Sequence, residues 1–150
     1  MNIDFFMSEA INQAKLAYFN NEVPIGGVLV DNLTNKVISR CHNQINELNN
    51  AIFHCEIKLI IDGCQKVSSK YLKNTSLFVT LEPCTMCAAA ISESHINKLY
   101  FGAYDEKNGG IEKFKLAYKR KNIFLPEIYG VIFVNESKQL LKNFFKDKRK

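Results

Sequence analysis

The sequence predicts an α/β fold in which helices cover both faces of one sheet. Stretches with an apolar stripe at helical spacing alternate along the chain with short apolar runs bounded by turn residues, which is the pattern of such folds. The chain has 150 residues and contains no repeat and no low-complexity linker. That length supports one domain with its own core, so we expect a single domain over residues 1–150.

The first half of the chain predicts two helices separated by a pair of strands. Apolar residues recur at helical spacing in the first stretch, and Asn20 and Asn21 tolerate helix-ending conformations. In order, the predicted elements are a helix at 6–19, a buried strand at 24–30, a hairpin turn at 31–35, a second strand at 36–41, a polar loop at 43–50 and a helix at 54–64.

The second half predicts strands and helices in strict alternation. The adjacent glycines Gly109 and Gly110 predict a flexible break, and four apolar residues near the end lie at core spacing for a helix. The predicted elements are a strand at 76–81, a helix at 85–94, a strand at 98–104, a short helix at 114–118, a strand at 128–134 and a closing helix at 137–145.

Composition narrows the class of protein. There are five cysteines, an odd number, which favours reduced thiols or metal ligation over disulfides. The formal net charge of +5 is compatible with a nucleic-acid partner without establishing one. The first residues do not read as a signal peptide, and no apolar run reaches the length of a membrane span, so we expect a cytoplasmic protein with no membrane partner.

The chemistry is concentrated in two short motifs. Cys84 and Cys87 are three positions apart and follow Pro83, so at the start of a helix both sulfur atoms would face one metal ion. His54 would be the third protein ligand. Three ligands leave a fourth position for water, which distinguishes a catalytic zinc site from a closed structural one.

Glu56 is the candidate catalytic residue. A glutamate two positions after a ligand histidine converges with it only at an irregular first turn, so His54 is expected to begin its helix. One Zn²⁺ per subunit would bring the pKa of a bound water toward neutrality, and Glu56 would move protons as general acid and base.

The pairing of the two motifs is more specific than either alone. A single Cys-x-x-Cys also occurs in redox dithiols, which need no His-x-Glu, and in zinc ribbons, which need a fourth Cys or His. His-x-Glu followed by Pro-Cys-x-x-Cys is the signature of zinc deaminases. Cys41, Cys55 and Cys64 are expected to be buried thiols that do not bind the metal.

Beyond these motifs, the sequence resembles the bacterial tRNA-specific adenosine deaminases of the cytidine/deoxycytidylate deaminase superfamily. The similar segments run nearly from end to end: residues 22–30 (EVPIGGVLV), His42-Asn43, residues 79–88 (VTLEPCTMCA), Phe101-Gly102-Ala103 with Asp105 and Lys107, and Phe144-Phe145-Lys146 through Arg149. The last two segments favour a tRNA enzyme over a free-base one.

The resemblance implies a three-layer α/β/α fold, cytidine-deaminase-like, with a central mixed sheet of about five strands. It also implies a homodimer that deaminates adenosine to inosine at the wobble position of a tRNA anticodon stem-loop. The implied substrate-binding residues are Asn43 on the flipped base, Val23, Pro24 and Ile25 in the pocket, the backbone carbonyl of Glu82, Asp105 and Lys107. Lys146, Lys148 and Arg149 are candidates for contact with the RNA backbone.

The sequence departs from the family pattern at four places and leaves alternative functions open. Residues 50–53 read Asn-Ala-Ile-Phe where Asp-Pro-Thr-Ala is usual, Cys55 replaces the alanine of His-Ala-Glu, His95 replaces a common arginine, and Ile123 replaces a histidine. None of these removes a predicted ligand. The alternatives are a deaminase of a free base or nucleoside, such as cytosine or guanine, and a non-catalytic zinc or RNA-binding domain, which would not require Glu56.

Overall fold

The computed structural model describes residues 1–117 and 123–148, and these ranges are organised by one five-stranded sheet. The strands are β1 (Gly26–Asp31), β2 (Val37–His42), β3 (Thr75–Leu81), β4 (Lys98–Ala103) and β5 (Glu127–Tyr129). The helices are α1 (Ile3–Phe19), α2 (Cys55–Val67), α3 (Thr85–Glu93), α4 (Ile111–Ala117) and α5 (Val134–Lys148). None of the described helices is both long and apolar enough to cross a bilayer.

The sheet is mixed, with the strand order β2-β1-β3-β4-β5. β1 pairs antiparallel with β2 and with β3, whereas β3, β4 and β5 run parallel. The carboxyl ends of β3 and β4 therefore meet at one edge of the sheet, and the register Gly26↔His42 brings the start of β1 and the end of β2 to that same edge. The chain segments that carry the predicted site residues before position 110 all enter or leave the sheet on this side.

Side chains alternate between two apolar layers, one on each face of the sheet. On one face, Leu77 and Val79 of β3 pack in a core that includes Leu59 of α2 and Ile91 of α3. On the other face, Phe78 packs with residues of α1, and its ring stacks on that of Tyr100 with the ring centroids 4.5 Å apart. The predicted three-layer arrangement with a mixed sheet of five strands is confirmed.

The predicted boundaries differ by three or more residues at four helices and one strand, and α2 ends at Val67 instead of residue 64. α1 begins at Ile3 because the side chain of Asn2 accepts a hydrogen bond from the N–H of Phe5 at 3.0 Å and caps the helix. α4 begins at Ile111, three residues before the prediction, and the predicted end at residue 118 lies outside the described residues.

The predicted strand at 128–134 is only Glu127–Tyr129, and α5 starts at Val134 instead of residue 137. Val131 and Phe133 have positive φ values of 59° and 53°, which end the strand in a turn despite their high strand propensity.

Candidate active site

His54, Cys84 and Cys87 converge at the strand-end edge of the sheet. His54 is the N-cap of α2, and Cys84 is the N-cap of α3, directly after the turn that leaves β3. The Nδ1 atom of His54 lies 3.7 Å from the sulfur atom of each cysteine. One ligand atom from each of the three residues falls within 4.8 Å of the others. His54 and Cys84 are half-buried, and Cys87 is buried.

This donor set fits zinc. Tetrahedral zinc with a Zn–N bond of about 2.05 Å and Zn–S bonds of about 2.3 Å places nitrogen and sulfur about 3.6 Å apart. The observed separations of 3.7 Å match that requirement without rearrangement. Two thiolates and one imidazole would occupy three tetrahedral positions of a zinc ion and leave a fourth for water.

The pKa values of the two thiols shift in opposite directions. Hydrogen bonds from the thiol of Cys87 and from His54 outweigh the cost of burial and lower the pKa of Cys84 to about 4, and the backbone N–H of Cys87 adds to this. The same thiol–thiol contact, together with burial, raises the pKa of Cys87. The neighbouring Cys84 also raises the pKa of His54. A divalent cation that binds to these groups would displace their protons.

Glu56 lies beside the three ligand residues and is only 4% exposed. His54 has an extended backbone with φ −64° and ψ 154°, so it stands off the helical screw and can converge with Glu56 in the first turn. This placement at the start of the helix is as predicted. Burial raises the pKa of Glu56, and a hydrogen bond from the Cys87 thiol opposes part of that rise. A carboxyl group in such surroundings is suited to both accept and donate a proton.

A cavity of about 530 Å³ opens above Glu56 and the ligand residues. That volume lies within the range of small-molecule binding pockets. Five of the predicted substrate-binding residues line it: Val23, Ile25, Asn43, Glu82 and Asp105. Pro24 is buried between its neighbours, where the N–H of Ile25 donates to the carbonyl of Val23 at 2.7 Å. Proline therefore occupies the centre of a three-residue turn that flanks the cavity.

Asn43 is held in one orientation. Its side-chain oxygen accepts the N–H of Cys55 at 3.0 Å, and its own N–H donates to the carbonyl of Ile25 at 3.0 Å. Because the oxygen is engaged by a backbone donor, the Nδ2 amide is the group that Asn43 can offer to a ligand in the cavity. Cys55 itself is fully buried, and its thiol donates to the carbonyl of Cys41 at 3.3 Å.

A second cavity of about 500 Å³ adjoins the first and shares Leu81, Asp105 and Asn108 with it. Lys107, predicted to bind substrate, lines this second cavity and not the first. Lys138 and Phe145 of α5 form its far side, and the Phe145 ring is 48% exposed. The two cavities are therefore neighbours, with Asp105 and Asn108 between them.

The basic residues at the end of the chain lie outside both cavities as far as the structure describes them. Lys146 and Lys148 lie exposed near the end of α5 and line neither cavity, and the Lys148 ammonium group sits 5.5 Å from the centre of the Phe144 ring. The prediction for Arg149 lies outside the described residues.

Several residues that line the first cavity were not identified from the sequence. Thr85 and Met86 lie inside the Cys-x-x-Cys motif, so their spacing could have identified them, whereas Ile45, Asn108 and Lys113 had no motif to mark them. Glu22 was also missed as a supporting residue. It is 1% exposed, and its carboxylate accepts the N–H of Asn46 at 2.6 Å, which fixes the loop that carries Asn43 and Ile45.

Comparison with known proteins agrees with this geometry. A family model for the cytidine and deoxycytidylate deaminase zinc-binding region matches residues 1–103, which include all three ligand residues and Glu56. The tRNA-specific adenosine deaminase of Rickettsia bellii (strain RML369-C) is 46% identical over 141 residues, covering 93% of this chain and 97% of that protein. The chain belongs to the tRNA-specific adenosine deaminase family. The enzyme of the same description from Agrobacterium fabrum (strain C58 / ATCC 33970) is 41% identical, covering 96% of this chain and 94% of that protein.

Solved structures extend the family match to three dimensions. A structure from work on A-to-I editing by tRNA:A34 deaminases at the wobble position of transfer RNA superposes with a TM-score of 0.85 at 40% identity, covering 91% of this chain and 99% of that one. A guanine deaminase from Nitrosomonas europaea superposes with a TM-score of 0.81 at 14% identity, covering 95% of this chain and 84% of that one. The second likeness is one of fold alone.

Proposed function

We propose that this protein converts adenosine to inosine by hydrolytic deamination at the wobble position of a tRNA anticodon stem-loop, with one zinc ion per subunit. The observation that carries the proposal is the convergence of His54, Cys84, Cys87 and Glu56 beside a cavity that has a second cavity next to it. The full-length similarity to tRNA-specific adenosine deaminases supports the choice of substrate.

The reaction replaces the amino group on C6 of adenine with an oxygen from water and releases ammonia. Zinc held by His54, Cys84 and Cys87 supplies the Lewis acid that makes a water nucleophilic near neutral pH. Glu56 takes one proton from the attacking water and delivers it to the purine ring, then takes the remaining proton from the new C6 hydroxyl group and delivers it to the amine as the C6–N bond breaks. Water is consumed and ammonia is released, so atoms and protons balance.

Binding residues hold the base in place for this step. Nδ2 of Asn43 donates to an acceptor on the edge of the base, because its oxygen is engaged by the backbone of Cys55. Val23 and Ile25 provide apolar contact with the base, and the carbonyl of Glu82 lies near the departing amine. A base must leave its stack to enter such a pocket, which single-stranded loop nucleotides do at low cost.

The second cavity suits a nucleotide next to the edited one. Lys107 and Lys138 offer positive charge for phosphate, and Phe145 offers an exposed ring for stacking. Lys146, Lys148 and Arg149 would extend the positively charged surface along the RNA backbone. A role in tRNA modification also implies a cytoplasmic location.

A homodimer is part of the proposal. Ile52 and Met86 are apolar, 55% and 37% exposed, and each is within two positions of a ligand residue. Covering them with a second copy would remove apolar surface from water beside the active site. Sedimentation equilibrium measures the subunit count, and a strictly monomeric yet fully active enzyme would contradict this part.

The test of the substrate position uses two synthetic stem-loops that differ only in where the single adenosine lies in the loop. The zinc-loaded protein should form inosine when adenosine is at the wobble position and far less when it is one position away. Equal rates on both RNAs would show that the enzyme does not select the wobble position.

A further inference from the structure

The two cavities are separated by a short loop that we call the partition loop, residues 105–110. Asp105 and Asn108 of this loop line both cavities, and Lys107 lines the second. The position of the loop relative to the metal ligands therefore sets the width of the first cavity and the path from it into the second.

The partition loop keeps its own shape through internal hydrogen bonds. The side-chain oxygen of Asp105 accepts the N–H of Lys107 at 3.1 Å and that of Asn108 at 3.0 Å. The carbonyl of Asp105 accepts the N–H of Gly109 at 2.9 Å. These bonds fold the loop into a turn, but none of them fixes where the turn sits against the rest of the site.

The side chain of Glu82 attaches the first residue of the loop, Asp105, to the rest of the site. Its Oε1 atom accepts the N–H of Asp105 at 3.2 Å, while its own N–H donates to the carbonyl of Ala103 at 2.8 Å. The carboxylate thus reaches from the turn just before Cys84 to the first residue of the loop. A hydrogen bond to a carboxylate oxygen is stronger than one to a neutral acceptor, so this contact helps to hold the start of the loop in place.

The two glycines of the loop allow it to lie close against Glu82 and the turn that carries Cys84. A Cβ atom on Gly109 would lie 2.3 Å from Oε1 of Glu82, and a Cβ atom on Gly110 would lie 2.0 Å from the backbone nitrogen of Thr85. The N–H of Gly110 donates to the carbonyl of Pro83 at 2.8 Å. The predicted break falls between β4 and α4, and the close packing of the loop on the turn that carries Cys84 explains why both positions are glycine.

We propose that the carboxylate of Glu82 is a positioning residue, which holds the partition loop at the separation from the metal-binding turn that an RNA strand spanning both cavities requires. This role is additional to the backbone carbonyl proposed for the same residue, and it rests on the proposed function. Glu82 acts through Asp105 and Asn108, so its loss weakens binding of the stem-loop more than it slows the chemical step.

Three variants test the role. Glu82→Ala removes the acceptor and should raise KM for the stem-loop about tenfold with kcat changed less than about threefold, the lower end of what a hydrogen bond to a charged group contributes. Glu82→Gln keeps an oxygen acceptor of the same reach and should restore most of the affinity. The control is Glu9→Ala on α1, which breaks an ion pair with Arg40 of β2 and should change neither KM nor kcat.

Gly109→Ala separates positioning from direct contact with substrate. Its added Cβ would lie 2.3 Å from the Glu82 carboxylate and 2.5 Å from the carbonyl oxygen of Asp105, so alone it should raise KM at least as much as Glu82→Ala. Combined with Glu82→Ala it should add less than its separate effect, because the clash with the carboxylate is gone and only the clash with the Asp105 carbonyl remains. Multiplicative effects in the double variant, or a large fall in kcat for Glu82→Gln, would overturn the proposal in favour of direct contact.

Amide hydrogen exchange tests the attachment without any reaction. The N–H of Asp105 should exchange faster in Glu82→Ala than in the wild type and at nearly the wild-type rate in Glu82→Gln, with zinc content equal in all three proteins. Unchanged exchange in Glu82→Ala would refute the anchor. If the wild type edits no stem-loop, the proposed function fails, while this exchange measurement and stem-loop affinity still decide the role of Glu82.

Discussion

Replacing Glu56 with glutamine tests the proton-transfer role most cleanly. The carboxyl group is 4% exposed and lies in contact with the Cys87 thiol, so an amide of the same size occupies its place without opening a cavity. An amide cannot accept and return a proton at neutral pH. General acid–base catalysis contributes roughly 10²–10⁴-fold, so we expect kcat to fall by that factor, which corresponds to about 3–5 kcal/mol in the barrier.

Folding and metal content should survive this change. Burial raises the pKa of Glu56 because the ionised form is costly to desolvate, and a neutral amide does not carry that cost. The assay is inosine formed per enzyme under saturating stem-loop, beside zinc content by atomic absorption, with Glu9→Gln as the control. Loss of zinc from Glu56→Gln would make Glu56 a ligand, and retention of full kcat would remove it from the chemistry.

The remaining predictions concern the metal ligands, the basic tail and the buried supporting carboxylate. Cys87→Ser should lose zinc and Cys55→Ala should keep it, since only Cys87 belongs to the ligand group; zinc loss from Cys55→Ala would contradict this assignment. The logarithm of stem-loop affinity should fall linearly with the logarithm of salt concentration, and Lys146→Ala or Lys148→Ala should each reduce the slope of that line by about 1, whereas an unchanged slope would place those lysines away from phosphate. Glu22→Ala should lower the free energy of unfolding by about 1–3 kcal/mol in urea, because it leaves the N–H of Asn46 without its acceptor; a change below about 0.5 kcal/mol would contradict that role.

The sequence was sufficient for the metal-binding geometry because that geometry is local. The cysteine pair lies three residues apart at the start of α3, as helix periodicity predicts. The placement of His54 at the start of α2 follows from the need for an irregular turn there. The strand–helix alternation was equally readable, because the two apolar layers alternate along β3 and β4 with the period of a strand.

What the sequence did not predict depends on contacts between distant segments. Glu22 is tied to Asn46, and Glu82 to Asp105, through hydrogen bonds from backbone N–H groups more than 20 positions away, and no local pattern identifies such partners. Adjacent glycines usually indicate flexibility, but at Gly109 they reflect close packing that only the folded chain makes visible. The end of β5 was missed because Val131 adopts a positive φ against its own preference.

The central claim is tested most directly by offering the zinc-loaded protein four substrates in parallel: an anticodon stem-loop with adenosine at the wobble position, free adenosine, cytosine and guanine. Inosine and released ammonia are quantified for each. We predict equal amounts of inosine and ammonia from the stem-loop, with little or no turnover of the three small molecules. Turnover of a free base with none of the stem-loop would contradict the tRNA substrate. No turnover of any of the four substrates would contradict the proposal that the protein is a deaminase.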